Sequence, residues 1–251
     1  MAEAVGLAFA ILGAFNDAIQ CFEYVQVARN FDQSFQTAIL KLDLPKLRLS
    51  RWGQSVGLDR VETAVAGSRE DHQKAKELLD QIVDLFEDAE RVSGKLKPPA
   101  KDPAVYDTTR DLDEPTASLH VKLQRLSLRR FKPGSVLKKA KWALYKEKSL
   151  NRLIQDITEL VTGLIELFPA ARSEQRLLCE QDGAELASDE HISLIAPLIE
   201  EQDPELSASI KSANSSAHPN FHVSFAGSQN YGVQQGSFSG GHQTNTFGAR
   251  P

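Results

Sequence analysis

Histidine and cysteine side chains can bind metal ions and take part in catalysis, and their spacing here favours neither chemistry. His218 and His222 are four residues apart, but Pro219 lies between them and disfavours the helix that would place both on one face. Cys21 and Cys179 are far apart in sequence, and Cys21 lies among apolar residues, which is typical of a packed thiol. The sequence contains no nucleophile elbow, P-loop, Rossmann glycine pattern or zincin motif. We therefore expect a protein that is not an enzyme and has no metal or cofactor.

Small residues recur every four positions near the N-terminus, between Gly6 and Ala18. On a helix with 3.6 residues per turn, this spacing places them along one face, where another backbone can approach closely. In a membrane such a face favours association of helices, whereas in a soluble bundle it allows tight packing, and both interpretations stay open. The predicted membrane-inserting helix comprises Gly6, Leu7, Ala10, Ile11, Ala14, Phe15 and Ala18.

Basic residues are concentrated between Thr116 and Lys148, where Glu147 is the only acidic side chain. A solvated surface is the ordinary explanation for such a stretch. The alternative is attraction to anionic membrane lipids, which contributes about 1 kcal/mol for each basic residue near the surface. The net charge of −5 argues against general binding of nucleic acid. The predicted lipid-facing basic patch comprises Arg125, Arg129, Arg130, Lys132, Lys138, Lys139 and Lys141.

The C-terminal part of the chain has a different composition. From Ser212 to Pro251 the only charged side chain is Arg250, whereas glycine, amide and aromatic residues are frequent. Such a segment cannot bury a core of its own and is predicted to be disordered in the monomer. Its uncharged mixture of amide and aromatic side chains also favours cross-β stacking, with a flexible linker as the alternative.

The rest of the chain shows helical spacing of its apolar residues. The clearest runs are Leu78–Val92 and Leu150–Phe168. We expect a further helix around Pro45, which should kink or divide it because proline lacks an N–H. Another helix is predicted over residues 137–145.

These patterns define two parts of the chain. No alternating strand pattern precedes residue 212, so the sequence predicts an all-α helical bundle over residues 1–210. A disordered, amyloid-competent tail is predicted over residues 211–251. The apolar run Ala4–Phe15 has 12 residues, fewer than the roughly 20 that cross a bilayer, so a buried core helix is its ordinary explanation.

Four groups of residues have a recognisable order and spacing. They are CFEYVQ at Cys21–Gln26, KLD at Lys41–Asp43, LSRWG at Leu49–Gly53, and WALY with KSL between Trp142 and Leu150. They resemble the fungal HeLo family, the HET-S-like cell-death proteins of heterokaryon incompatibility, over about residues 1 to 210. The resemblance implies a helical globule whose N-terminal segment can leave the fold, enter a membrane and kill the cell. It also implies that the domain stays inactive until a C-terminal prion-like region assembles.

The tail contains a pseudo-palindromic pattern of small, amide and aromatic residues. It comprises Asn230, Gly232, Val233, Gln234, Gly236, Phe238 and Gly240. The pattern resembles a fungal amyloid signalling motif akin to the RHIM of animal necroptosis proteins, with Gln235 in place of the second aliphatic residue. In a parallel stack the amide side chains would form ladders along the fibril axis. The resemblance implies self-assembly through the tail and an NLR-type receptor that bears a matching motif.

These features lead to one hypothesis and one rival. The chain would be an amyloid-triggered executioner of fungal programmed cell death, cytoplasmic when inactive and at the plasma membrane when activated. Its templated tail would free the N-terminal helix to permeabilise the membrane. The rival is a non-toxic amyloid-signalling adaptor or prion-propagating protein. Polar residues in the first helix favour the rival because they make insertion costly: Asn16, Asp17, Gln20 and Glu23.

Overall fold

A computed structural model of the 251-residue chain describes residues 2–28, 34–59, 67–95, 105, 107–108, 110–130, 141–144 and 146–217. In this part of the chain there are eight α-helices, two 3-10 segments and two short strands. The helices are α1 (Ala2–Tyr24), α2 (Phe35–Ser55), α3 (Arg69–Lys95), α4 (Glu114–Arg130), α5 (Glu147–Leu167), α6 (Arg172–Ala187), α7 (Ala196–Gln202) and α8 (Pro204–Ala217). The 3-10 segments are Pro169–Ala171 and Ile192–Leu194, and the strands are β1 (Val25–Val27) and β2 (Trp142–Leu144).

The prediction of an all-α bundle is confirmed, and the helices enclose two apolar cores that share α2. The larger core includes Trp52 and Phe86 and is formed mainly by α1, α2, α3 and α5. The smaller core includes Leu44 and Leu186 and is formed by α2, α4, α6, α7 and α8. The expected division of α2 at Pro45 does not occur, because the helix continues to its end at Ser55. Burial of α2 in both cores offsets the roughly 3 kcal/mol that an internal proline costs a helix.

Local side chains define where α3 and α4 begin. Before α3, the backbone N–H of Asp71 donates to Ser68 Oγ at 3.2 Å, and the Ser68 N–H donates to Asp71 Oδ2 at 2.8 Å. These bonds hold the pKa of the Asp71 carboxyl below its ordinary value. Gly67, just before them, has a φ of +107°, which only glycine adopts easily. Before α4, Asp113 Oδ1 accepts a hydrogen bond of 2.9 Å from the Thr116 N–H, which is a typical N-terminal cap.

Two short parallel strands correct two predictions from sequence. Val25 pairs with Trp142 and Val27 with Leu144, so part of the expected 137–145 segment is a strand, not a helix. Each strand has three residues, too few to show the alternation by which a strand is recognised. The hydroxyl of Ser93 on α3 also donates to the Ala143 carbonyl. Parts of two stretches that carried the family resemblance therefore lie side by side, the end of CFEYVQ and the first three residues of WALY.

The helical part extends past the predicted boundary at residue 211. Helix α8 ends at Ala217, so residues 211–217 are helical and not part of a disordered tail. A close contact with α6 holds α8, since a Cβ at Gly183 would lie 2.6 Å from Ser209 Cβ. At the end of this packed segment, Lys211 Nζ lies 3.2 Å from Glu200 Oε1 of α7. The composition of residues 211–217 does not predict this helical extension, because serine, alanine and asparagine are common in both helix ends and disordered tails. Residues 218–251 lie outside the described residues.

Candidate functional site

Helix α1 has one buried face and one exposed face. Its inner face packs against α3 and α2, whereas Gly13 and Asp17 are exposed and Phe9 is 60% exposed. An open groove of about 440 Å³ separates the first turns of α1 from the start of α3. Of the predicted membrane-inserting residues, Ile11, Ala14, Phe15 and Ala18 are buried, Leu7 and Ala10 are half-buried, and Gly6 is exposed.

The small-residue face of α1 therefore contributes to packing in the folded bundle. Ala14 and Ala18 are buried in the larger core, and a larger side chain there would overpack it. Ile11 is fully buried, so a charge at this position would disrupt the fold before any membrane step could be measured. Phe9 is the better position for testing a membrane role, because its side chain faces solvent in the folded state.

Phe15 fixes the middle of α1 against α2. Its ring packs on the backbone of Gly53, where an added Cβ would lie 2.5 Å from Phe15 Cε2. The ring centroids of Phe15 and Trp52 are 6.1 Å apart, and those of Trp52 and Phe168 are 5.9 Å apart. The Trp52 indole Nε1 donates to the Leu164 carbonyl of α5 at 3.1 Å. We call Phe15, Trp52 and Phe168 the ring row, and it joins α1, α2 and the end of α5.

A polar network fixes the C-terminal end of α1. The buried ammonium group of Lys46 on α2 pairs with Glu23 of α1 and donates to Gln124 Oε1 at 2.5 Å. Gln124 Nε2 donates to Asp43 Oδ1 at 2.7 Å, and Asp43 Oδ2 lies 2.6 Å from His120 Nδ1. These five residues, which we call the Lys46 network, connect α1, α2 and α4. Because Lys46 and Asp43 are buried, removing one member leaves a partner without compensation.

The two titratable groups at the centre of the network are shifted in the same direction. Burial lowers the pKa of His120, but the hydrogen bond and charge of Asp43 outweigh it, so the pKa lies above its ordinary value. Burial raises the pKa of Asp43, and His120 and Lys46 oppose this only in part. For both groups the folded state binds protons more tightly than the unfolded state. Their contribution to stability therefore decreases as pH rises.

We expect the free energy of unfolding to decrease between about pH 6 and about pH 8. The contribution of His120 is fully present below its unfolded pKa of 6.5 and is lost as pH rises through the raised folded value. The expected decrease is on the order of 1 kcal/mol, the net contribution of a typical hydrogen bond. Urea denaturation at both pH values measures it. A His120→Gln variant should lose most of this dependence, and an unchanged dependence in the variant would contradict the assignment.

The three arginines of the basic patch pair with acids of α6. Arg125 pairs with Glu185 of α6, and Arg129 Nη1 lies 3.1 Å from the same carboxylate. Burial raises the pKa of Glu185, but the two arginines outweigh it and hold the pKa below its ordinary value. The sequence indicated Glu147 as the only opposing acid because α6 is distant along the chain. Pairing reduces the charge that these two arginines offer to a membrane.

The assignment of Arg130 to the lipid-facing patch is wrong. Its side chain is buried and its Nη2 lies 2.5 Å from Asp182 Oδ1, because it falls on the inner face of α4. Lys141 is exposed, as predicted for a surface cation. Lys132, Lys138 and Lys139 lie outside the described residues.

Arg130 belongs to a buried group of charges, which we call the Asp182 cluster. Arg51 of α2 pairs with Asp203, its Nε lies 3.7 Å from Asp182 Oδ2, and its Nη1 donates to Cys179 Sγ at 2.8 Å. Burial lowers the pKa of Arg130 more than Asp182 raises it, and burial raises the pKa of the Cys179 thiol. The thiol therefore stays protonated and is a packing group. Two cations and two carboxylates balance within the smaller core, where α2, α4, α6 and α8 meet.

In the part of the chain that the structure describes, no three histidine, cysteine, aspartate or glutamate side chains are grouped as metal ligands. No helix among the described residues combines the length and the hydropathy that crossing a bilayer requires. The residues of the amyloid motif, Asn230, Gly232, Val233, Gln234, Gly236, Phe238 and Gly240, lie outside the described residues.

The Lys46 network and the Asp182 cluster were not predicted from sequence. No neighbour along the sequence indicates a partner for His120, although its Nδ1 lies 2.6 Å from Asp43 Oδ2. The partners are between 23 and 152 positions apart, so no local spacing reveals them. One signal was available in the helical spacing of α2. Asp43 and Arg51 are each four residues from Leu47, and Lys46 is four residues from Leu42, so all three share a helical face with apolar residues. Charges on the core side of a helix indicate partners on other elements.

Comparison with known proteins identifies the family. The HeLo family model, described as prion-inhibition and propagation, matches residues 4–195. Heterokaryon incompatibility protein S of Podospora anserina is 35% identical over 171 residues, which is 66% of this chain and 59% of that protein. Heterokaryon incompatibility protein s of the same organism is 35% identical over 176 residues, 67% of this chain and 61% of that protein. The chain thus matches about three fifths of the length of these relatives.

Solved structures agree with the sequence comparison. The HET-s N-terminal domain matches with a TM-score of 0.74 and 29% identity, covering 82% of this chain and 98% of that one. A double mutant of the same domain matches with a TM-score of 0.73 and 30% identity over the same shares. None of these descriptions names an enzymatic activity. Because the family model spans three quarters of its length, the chain belongs to the HeLo family.

Proposed function

We propose that this protein is a conditional executioner of heterokaryon-incompatibility cell death. In this proposal the tail assembles as amyloid, α1 leaves the bundle, and the released helices permeabilise the plasma membrane. The observation that carries the proposal is the family match over residues 4–195, which includes nearly all of α1. The outer position of α1 supports it, because one face of this helix is already in solvent and has no packing contacts to lose.

Helix α1 is the proposed membrane element. Its apolar part, Ala4–Phe15, would extend about 18 Å as a helix, less than the roughly 30 Å of a hydrocarbon core. Local thinning of the bilayer around a short inserted helix would favour leakage. Association through the face that contains Ala10 and Ala14 would place Phe9 about 120° away, toward lipid. The polar residues after Phe15 would remain near the headgroups.

The tail is the proposed trigger. Gln234 and Gln235 would stack as amide ladders, and Val233 and Phe238 would fill dry interfaces between sheets. We propose self-assembly through this segment, templated by an NLR-type receptor with a matching motif. The protein would be cytoplasmic until this event and at the plasma membrane afterwards. Anionic lipids would be the membrane partner, with exposed cations such as Lys141 contributing to attraction.

Seeded vesicle leakage tests the proposal. Purified full-length protein is mixed with dye-loaded anionic vesicles, with and without preformed fibrils of a peptide that comprises residues 218–251. We expect leakage only when seeds are present. Leakage that is equal with and without seeds, or absent in both, would contradict the proposal.

The double variant Gln234→Asp/Gly236→Asp is expected to abolish fibril formation by the tail. Each stacked chain would add like charges every ~4.7 Å along the fibril, and the change at Gly236 would add a side chain at a tight turn. Thioflavin fluorescence and fibre diffraction measure the assembly. A matched variant, Gln243→Asp/Gly248→Asp, changes the same residue types outside the motif. Assembly of the motif variant at the parent's rate would show that the motif assignment is wrong.

The rival function keeps the tail and removes the toxicity. Asp17 and Glu23 lie in α1, and no helix in the described part of the chain has the hydropathy of a bilayer span. These observations favour a protein that propagates or adapts an amyloid signal. Seeded assembly without vesicle leakage is the result that this rival predicts.

A further inference from the structure

We propose that Gly53 sets the threshold at which α1 leaves the bundle, because its missing side chain is the space in which the Phe15 ring packs. This inference rests on the proposed function for its biological meaning, but the packing that it concerns can be measured in the soluble protein. Gly53 belongs to the LSRWG stretch and lies near the end of α2, whose interior would otherwise favour alanine over glycine. A glycine at this helical position is therefore explained by the contact that it permits.

The contact at Gly53 leaves no room for a methyl group. A Cβ at this position would lie 2.5 Å from Phe15 Cε2 and 3.1 Å from Cε1, and separations under 3.0 Å are essentially never seen for real Cβ atoms. Either the backbone of α2 or the ring of Phe15 must therefore move. Helix α2 is buried in both cores, so its backbone is the more strongly held of the two.

The ring of Phe15 cannot escape toward the interior. Trp52 lies on that side, and its indole is held by the hydrogen bond to the Leu164 carbonyl and by the ring of Phe168. The remaining direction is outward, away from α2 and together with the backbone of α1. The outer face of α1 is exposed at Phe9 and Gly13, so no described element covers it from outside. The movement is opposed by contacts of the inner face with α3 and by the Glu23–Lys46 pair among the described residues.

The consequence is a change that is specific to α1. Trp52 keeps two contacts that do not involve Phe15, the hydrogen bond to the Leu164 carbonyl and the packing on Phe168, and the Asp182 cluster lies in the other core. A methyl group at Gly53 should therefore weaken the docking of α1 while the other helices keep their packing. States in which α1 is undocked would then be more populated in the soluble protein before any signal arrives.

Hydrogen exchange of full-length monomeric Gly53→Ala tests the inference directly. We expect amides of α1 to exchange roughly tenfold faster than in the parent, with exchange in α5 and α6 unchanged. The matched control is Gly163→Ala in α5, where the added Cβ would meet Leu78 Cδ1 at an ordinary 3.6 Å. This control should not accelerate exchange in α1. Unchanged α1 exchange in Gly53→Ala, or equal acceleration in all helices, would overturn the inference.

A second variant keeps the test decisive if Gly53→Ala affects folding. Phe15→Leu removes the ring that the added methyl would strike, so the two changes should be strongly non-additive. We expect the acceleration of α1 exchange in Phe15→Leu/Gly53→Ala to be smaller than the product of the accelerations in the two single variants. Purely additive effects would show that Gly53 does not act through Phe15.

Vesicle leakage then separates this inference from the proposed function. Under the proposed function, Gly53→Ala should also permeabilise anionic vesicles at a lower concentration of seeds. Faster α1 exchange with no change in leakage would support the packing role of Gly53 and refute release of α1 as the toxic step. Leakage that is enhanced without faster α1 exchange would refute the role of Gly53 in holding α1.

Discussion

Replacing Phe9 with lysine is expected to abolish the leakage of anionic vesicles by tail-seeded protein. The side chain is 60% exposed in the folded bundle, so Phe9→Lys should leave the fold intact. In a membrane, a lysine near the middle of the inserted segment costs about 3 kcal/mol per helix relative to phenylalanine. This is roughly a hundredfold change in the insertion equilibrium, and it is repeated for each helix of an assembly. Circular dichroism and urea denaturation should match the parent.

Two controls make the Phe9→Lys result specific. Phe9→Leu keeps an apolar side chain and should keep the leakage. Val121→Lys adds the same charge at a similarly exposed apolar position on α4, 64% exposed, and should also keep it. If folded Phe9→Lys protein released the dye as the parent does, insertion of α1 would be excluded and the adaptor function would replace the executioner.

Replacing Asp182 with alanine is expected to cause the largest loss of stability. Asp182 is fully buried, pairs with Arg130 at 2.5 Å and lies 3.7 Å from Arg51 Nε. Its removal leaves two buried guanidinium groups with Asp203 as their remaining carboxylate within the cluster. Breaking a buried ion pair by removing one partner typically costs about 3–5 kcal/mol, a large part of the stability of an ordinary domain. Urea denaturation of the full-length monomer measures this loss.

Glu185 provides the matched control for Asp182. It lies on the same helix and also pairs with arginines of α4, Arg125 and Arg129, but at the surface. Glu185→Ala should lower the free energy of unfolding by about 1 kcal/mol or less, because exposed charges are nearly as stable when hydrated as when paired. Similar losses for Asp182→Ala and Glu185→Ala would show that the buried charges are not a structural requirement of the smaller core.

The two networks suggest why α2 carries charges in its interior. Lys46 and Asp43 face the end of α1 and α4, whereas Arg51 faces α6 and the start of α8. Buried charges with fixed partners allow one register, since any other leaves an ion uncompensated. The position of Gly53 under Phe15 depends on that register.

The sequence by itself determined the helical class, the packed thiol of Cys21 and the family resemblance. Apolar spacing over Leu78–Val92 and Leu150–Phe168 predicted helices that the structure contains within α3 and α5. These features are local, because a helix closes its hydrogen bonds within four residues and buries a face with a period of 3.6 residues. The motif stretches could be recognised for the same reason, since each is contiguous along the chain.

Tertiary structure alone decided which of the residues proposed from the sequence are exposed to solvent and so able to contact a membrane or a partner. Arg130 and Lys141 look alike in sequence, yet one is buried against Asp182 and the other is exposed. Ile11 and Phe9 are both apolar residues of one helix, but only Phe9 faces solvent. Three of the contacts described above join segments that are distant along the chain: the β1–β2 pair, the Lys46 network and the contact of Phe15 with Gly53. Such partners are determined by how helices pack, and the free energy of that packing depends on contacts that no local pattern contains.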